Sequence, residues 1–456
     1  MKLEINEKNR ERMPLEEPFE RVISPLQVFI NSQSAAGFLL LISTVIALFL
    51  ANSGWHEQYV WLTNFKIGFI WGEGQLYHSA VDWVNEGLIV LFFFLLGLEI
   101  KFQCIAGELK EAKSSILAVS MALGGMVVPA LTYLITMSIL GGNDWQGWGI
   151  VMATDTAFAL GLLVLLGARV PKSVLVLITA LAIVDDIGAV LVIGLFYTDN
   201  VSLVYLGYGA IVLTLMFIAN SVGIRAVWFY IFAGVILWWF VSHSGVHATT
   251  AGILAALTVP TKPIADTNWF AKSMERLITR FKRIDHHDKT ILEQQKQHEL
   301  AQAAEVIVKS ATTPVQRWQS KLHSPISLLV LPLFALLNAG IVLPESSAEI
   351  MSMPVFWSCM LGLFIGKPLG IFLFSYVFIK LGWAERPTDM QWHDFIALGC
   401  FAGIGFTMSL FITNLAFIGD IATIEKAKLG IICGSLFSAI IGFVLFTQFK
   451  KQRLAS

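Results

Sequence analysis

Apolar runs close to 20 residues long recur along the whole chain, and nothing else constrains its fold as strongly. At 1.5 Å of rise per helical residue, such a run matches the ~30 Å hydrocarbon core of a bilayer. Twelve lie near residues 35–52, 86–104, 115–140, 147–166, 174–197, 203–220, 224–241, 246–259, 326–343, 355–379, 395–418 and 427–449. They are continuous, unlike the ten-residue alternating segments of membrane barrels, so helices are expected. Composition agrees: 56% of the 456 residues are hydrophobic and 14% are charged, against about 25% charged in a soluble domain. A soluble globular enzyme, a disordered chain and a secreted disulfide scaffold are thereby excluded. Cys104, Cys359, Cys400 and Cys433 fall in or beside apolar runs without CxxC spacing and read as buried small hydrophobes. A net charge of −1 gives no reason to expect a nucleic-acid partner. The mixed-charge stretch Met1 to Arg21 precedes the first run, which reads as helix one and not as a signal peptide.

Twelve spans place both termini on one side, and lysine and arginine choose which. The terminus side carries 27; the opposite loops carry three, Lys66, Lys426 and Lys428. Both termini are therefore expected in the cytoplasm. The expected layout is an all-α polytopic membrane protein. A cytoplasmic segment (1–34) precedes helices one to eight (35–260), a cytoplasmic insertion (261–324), helices nine to twelve (325–449) and a tail (450–456). In the external loop, Phe65 to Trp71, Gly72-Glu73-Gly74 and Gln75 to His78 read as a β-hairpin at about 60–80. A lone hairpin is marginal in water, so it is expected to pair with a partner subunit. In the insertion, Trp269, Phe270, Met274, Leu277, Ile278 and Phe281 form an apolar face beside Lys272, Arg276, Arg280, Lys282 and Arg283. That pattern predicts a basic amphipathic helix lying on the anionic leaflet. A second polar helix is expected near 288–310, and His286, His287 and His298 read as solvated surface residues.

Charges at the centres of apolar spans carry the functional signal. Asp185-Asp186 sits midway along the fifth span, Asp155 midway along the fourth and Lys367 midway along the tenth. Each costs about 2.5–3.5 kcal/mol to insert. Lys367 alone has a plain reading as half of an interhelical ion pair. Two adjacent aspartates do not, because packed carboxylates repel and favour a proton on one of them. Carboxylates that exchange protons suit proton carriage, and the same oxygens suit a small hard cation. Asp186, Asp185, the Thr154 hydroxyl and freed carbonyls form such a set. Protons and sodium would then compete for it, and two carboxylates trading protons for one monovalent cation would move net charge.

Two spans also look broken, the fourth at Thr154-Asp155-Thr156 and the eleventh at Gly403-Ile404-Gly405-Phe406-Thr407. Paired breaks in two halves of a chain point to a midplane transport site. If they cross, Asp155 is expected to neutralise one set of helix ends and Lys367 the other. The glycines alone have a plainer reading as small-residue packing. An intramembrane aspartyl protease also uses two aspartates, but on facing helices, and leaves Lys367 unexplained. A sodium-coupled symporter for an organic solute is the remaining alternative.

At these residues the chain closely resembles the NhaA family of bacterial sodium–proton antiporters. The matching stretches are Ala153–Gly161, Ala180–Ala189, Ser244–Thr249, Leu331–Ala335, Gly366–Gly370 and Gly403–Ser409. The resemblance implies twelve helices with inverted repeats, two of them broken and crossing. It implies electrogenic exchange of sodium or lithium for protons in the inner membrane, serving pH regulation and salt tolerance, with no cofactor. Asp186 is then the main cation ligand, and Asp185 the coupled proton site paired with Lys367. Thr154, Asp155, Gly403, Gly405 and Thr407 line the crossing, and Asp155 balances its dipoles. Glu99, His247 and His323 become candidates for the pH response, and the external hairpin for a homodimer contact. The chain departs from the family at Phe102-Gln103, where better-known members carry Arg-Glu. It departs again at Arg317-Trp318-Gln319-Ser320, where a Glu-His cluster is usual, and in its long insertion. These departures put the pH profile in doubt and leave the transport chemistry intact.

Overall fold

A peptide group in hydrocarbon has no water to bond, so each apolar run must close its hydrogen bonds within itself. The computed structural model describes residues 33–71, 74–107, 112–167, 170–198, 201–284, 295–343, 350 and 352–455. Almost all of the N-terminal segment, the hairpin turn at 72–73 and His286 and His287 lie outside them. In chain order come α1 (Gln33–Ala51) and α2 (His56–Asn64), bent by 116° from each other. Strands β1 (Lys66–Trp71) and β2 (Gly74–Ser79) follow and pair antiparallel, with Lys66 opposite Ser79 and Trp71 opposite Gly74. The long helices α3 (Ala80–Ala106) and α4 (Ala112–Ile139) lead to a 3-10 turn at Trp145–Val151 and α5 (Thr156–Leu166). Next are α6 (Lys172–Phe196), α7 (Leu203–Val222), α8 (Val227–His243) and α9 (Ala248–Thr258). The insertion holds α10 (Thr267–Ile284) and α11 (Gln295–Ala311). The chain ends with α12 (Pro314–Asn338), α13 (Pro354–Lys380), α14 (Trp392–Ala402), α15 (Phe406–Ala416) and α16 (Ile421–Ala455).

Among the described residues, eight helices are long and apolar enough to cross a membrane, or ten if each bent pair is one span. Two of the twelve expected spans fall short of that length. α8 has 17 residues and α9 only 11, about 16 Å. The short α9 ends without exposing its last carbonyls, because Lys101 Nζ donates to the Leu257 and Val259 oxygens at 2.6 Å each. The fourth span also departs from expectation: its first half is the 3-10 turn, and only its second half is α-helical.

Two packing details position the site. Lys367 opens the second half of α13, directly after a π turn at Gly362–Gly366, and its amide bonds to the Gly362 carbonyl. Pro368 follows, and the wider turn makes room for its ring. That half of α13 crosses α4 at bare backbone. A Cβ built on Gly124 would meet the Gly370 oxygen at 2.2 Å, and one on Gly370 would meet the Gly124 oxygen at 2.1 Å.

The insertion corrects one expectation. α10 packs against α11. Phe270, Met274, Leu277 and Phe281 are its half-covered apolar positions, matched by Leu300, Ala303, Ala304 and Ile307. The apolar stripe therefore has a partner within the chain and is not left for lipid, while Trp269 and Ile278 stay exposed. His298 is exposed, with Nε2 3.0 Å from Gln302 Nε2.

Candidate functional site

The two broken spans meet at their breaks. Asp155 donates its backbone N–H to the Ile404 carbonyl at 2.7 Å, across the crossing. Its carboxylate then serves both half-helices that start there. Oδ1 accepts the Phe158 amide at 3.1 Å and so caps α5. Oδ2 accepts the Thr407 amide at 3.1 Å and the Thr407 hydroxyl at 2.7 Å, capping α15. The residue just before α15, in the capping position, is Gly405, which has no side chain to cap with. It stays glycine because a Cβ there would sit 2.4 Å from Ser409 Oγ and 2.9 Å from the Ala153 oxygen. One carboxylate thus faces the partial positive charge of two helix N-termini. Lys367, expected at the second set of helix ends, reaches it only through Thr154, whose hydroxyl lies 3.0 Å from the Ala402 carbonyl.

Lys367 points at the fifth span. Its Nζ donates to Asp185 Oδ2 at 3.0 Å and to the Thr154 hydroxyl oxygen. Thr154 Oγ1 lies 2.7 Å from Asp185 Oδ2 and 3.0 Å from the Ala402 carbonyl, the last residue of α14. A hydroxyl has one proton, so at any instant it serves one of those two acceptors. Asp185 and Lys367 are fully buried, at 0% exposure each. Burying an ion pair this deeply costs several kcal/mol per ion unless other hydrogen bonds complete it; Thr154 supplies one, shared with the helix end.

Asp186, one residue on, points about 100° away around α6. Its Oδ1 is buried and has no hydrogen-bond partner among the described residues, and the same is true of Asp185 Oδ1. Asp186 lines a cavity of about 140 Å³ together with Glu99, Thr154, Asp155, His323 and Thr407. His323 is exposed, so the cavity runs from Asp186 to the end of the molecule that carries the insertion. Beyond Asp186 on the other side, Phe411 packs on Phe93 and Phe334 with ring centroids 5.4 and 6.5 Å apart. Further out, Asn338 Oδ1 accepts from Asn85 Nδ2 at 3.1 Å and from Asn414 Nδ2 at 2.9 Å. The arrangement is a buried carboxylate reached from one side and sealed from the other.

A model of the family described as Na+/H+ antiporter 1 matches residues 27–446 of this chain. The chain belongs to the Na+/H+ antiporter 1 family. It is 47% identical over 450 residues to Na(+)/H(+) antiporter NhaA 1 of Pseudoalteromonas atlantica, covering 98% of this chain and 95% of that one. It is 39% identical over 440 residues to Na(+)/H(+) antiporter NhaA of Sulfurimonas denitrificans, covering 96% and 98%. A solved sodium proton antiporter from Methanocaldococcus jannaschii aligns over 94% of this chain and 93% of its own, with TM-score 0.46 and 12% identity.

Of the residues singled out in this antiporter chain, Thr154, Asp155, Asp185, Asp186, Lys367, Gly403, Gly405 and Thr407 converge on the crossing. Glu99 and His323 share the Asp186 cavity. His247 does not: it starts α9, and its Nε2 contacts the Tyr197 carbonyl at the far end of α6. The divergent stretch at 317–320 is accounted for by packing, since buried Trp318 lies against Phe94 and Tyr230 at 5.6 and 6.3 Å. Sequence reasoning missed the carbonyls of Ala402 and Ile404, which no side-chain pattern reveals. It also missed Thr179 and Ile183, which line the cavity with Asp186. Their spacing of four and three residues along α6 was available as a signal.

Proposed function

We propose that this protein expels sodium in exchange for protons across the bacterial inner membrane, with more than one proton moving per sodium ion. Membership of the family makes it a sodium–proton antiporter; the carrying observation for the mechanism is Asp186. Its buried, unpartnered oxygen opens on a cavity that reaches one end of the molecule. A carboxylate so placed has to be neutralised. A proton does this, and a sodium ion does it equally, so occupancy by one excludes the other. Asp185 completes the exchange. A cation that engages both carboxylates draws Asp185 away from Lys367, and the buried ammonium, losing its one carboxylate partner among the described residues, gives up a proton. Thr154, already bonded to both, follows the change by turning its hydroxyl from Asp185 to the Ala402 carbonyl. No step needs a cofactor, and the same oxygens accept lithium.

The wider reading extends to twelve spans in inverted repeats, with α8 and α9 counted among them. Both termini are in the cytoplasm, β1 and β2 form a homodimer contact, and Glu99 and His323 in the cavity mouth set the pH response. No lysine or arginine among the described residues lines the cavity to hold an organic anion, which leaves a solute symporter unsupported. The test is proton release in everted vesicles across pH 6.5–9. Sodium and lithium should collapse an imposed pH gradient in wild type and not in Asp186→Asn. No collapse at any pH, with protein normally inserted, would overturn the reading.

A further inference from the structure

The insertion presents a second ordered stripe. Trp269, Lys272, Arg276, Arg280 and Arg283 follow one another on α10 at spacings of three, four, four and three. At 100° per residue they occupy an arc of about 80°. The stripe that packs on α11 is centred roughly a quarter-turn or more away. All four basic side chains are exposed, and so is Trp269. Among the described residues none of the four makes an ion pair, and the single acidic residue of α10, Glu275, lies off the stripe.

The chain fixes where this stripe can be. α9 ends at Thr258 and α10 starts at Thr267; α11 ends at Ala311 and the membrane helix α12 starts at Pro314. The two roots are tied together, since the amides of Ile264 and Ala265 both donate to the Ser310 carbonyl at 3.0 Å. A helical hairpin rooted this tightly stands at the membrane face. A run of cations beside a membrane helix, with an indole at one end, complements an anionic headgroup layer.

We propose that the basic stripe of α10 docks on anionic phospholipid headgroups, holding the α10–α11 hairpin on the bilayer surface. Docking uses the basic face, because the apolar face is already spent on α11. Lipid is the occupant because only eight residues separate the end of α9, counted among the spans, from the start of α10, whereas an acidic protein would have to be recruited to it.

Hydrogen exchange of the full-length protein in lipid nanodiscs tests this directly. The amides of 269–284 should exchange more slowly in phosphatidylglycerol discs than in phosphatidylcholine discs. Each stripe cation replaced by glutamine should weaken docking by about fivefold, until the Lys272→Gln, Arg276→Gln, Arg280→Gln, Arg283→Gln variant exchanges alike in both. Lys282→Gln, off the stripe, should keep the difference. If the quadruple variant unravels α10, the wild type still decides, because its protection should vanish at about 1 M salt, where the screening length is near 3 Å. Equal exchange in the two lipids at low salt would overturn the proposal. So would a loss with Lys282→Gln as large as with a stripe residue, or protection produced only by an added acidic polypeptide. Exchange is read without any transport step, so failure here leaves the antiport reading untouched.

Discussion

At the scale of single residues, Asp155, Asp185 and Asp186 share one site but have three different sets of hydrogen-bond surroundings. Asp155 accepts three hydrogen bonds from two helix starts. Replacing it with asparagine turns an amide N–H₂ toward donors at one end or the other. We expect Asp155→Asn to lower stability by about 1–3 kcal/mol, read as a fall in melting temperature of the purified protein, with the larger loss in exchange activity. Asp185→Asn keeps the fold's hydroxyl contact but deprives Lys367 of its carboxylate. Its sodium flux should respond less steeply to an imposed membrane potential than that of wild type; an unchanged response would show that Lys367 takes no part in coupling.

At the scale of elements, the site depends on backbones that approach without side chains between them. Lys367 reaches Asp185 because α13 lies directly on α4 at Gly124 and Gly370. Gly370→Ala must push the two helices apart and should cost about 1–3 kcal/mol. The shift also withdraws Lys367, so sodium affinity in transport assays should fall along with thermal stability. The amide network of Asn85, Asn338 and Asn414 joins α3, α12 and α15 on the sealed side. Asn338→Leu leaves two amides without partners in an apolar setting, again about 1–3 kcal/mol. We also expect it to raise labelling of cysteine probes beside Asp186 by an impermeant reagent applied at that face, the result expected if opening the face breaks the network.

At the scale of the whole molecule, the insertion is separable. Ala265 and Ser310 already touch through a hydrogen bond, so joining them in place of residues 266–309 bridges only a short gap. That deletion should insert normally and keep both exchange activity and melting temperature within a few degrees of wild type; a shifted pH profile would assign the insertion a sensing role. The broad plan was legible in the sequence, for good reason. Hydrocarbon thickness dictates run length, and charges buried at span centres are too costly to be incidental, so the helices, Asp185, Asp186, Asp155 and Lys367 all announce themselves along the chain. The shortness of α9 was legible too, but its capping by Lys101, the 3-10 half of the fourth span and the packing of α10 on α11 were not, because each depends on a partner distant in sequence. Sequence by itself determined which residues carry charge into the membrane and where helices break. Only the tertiary structure decided that Asp155 caps both broken helices while Lys367 turns to Asp185 and Thr154. Hydrogen bonds are set by positions within about 3 Å, and the carbonyls of Ala402 and Ile404 that complete them belong to the backbone, which every sequence shares.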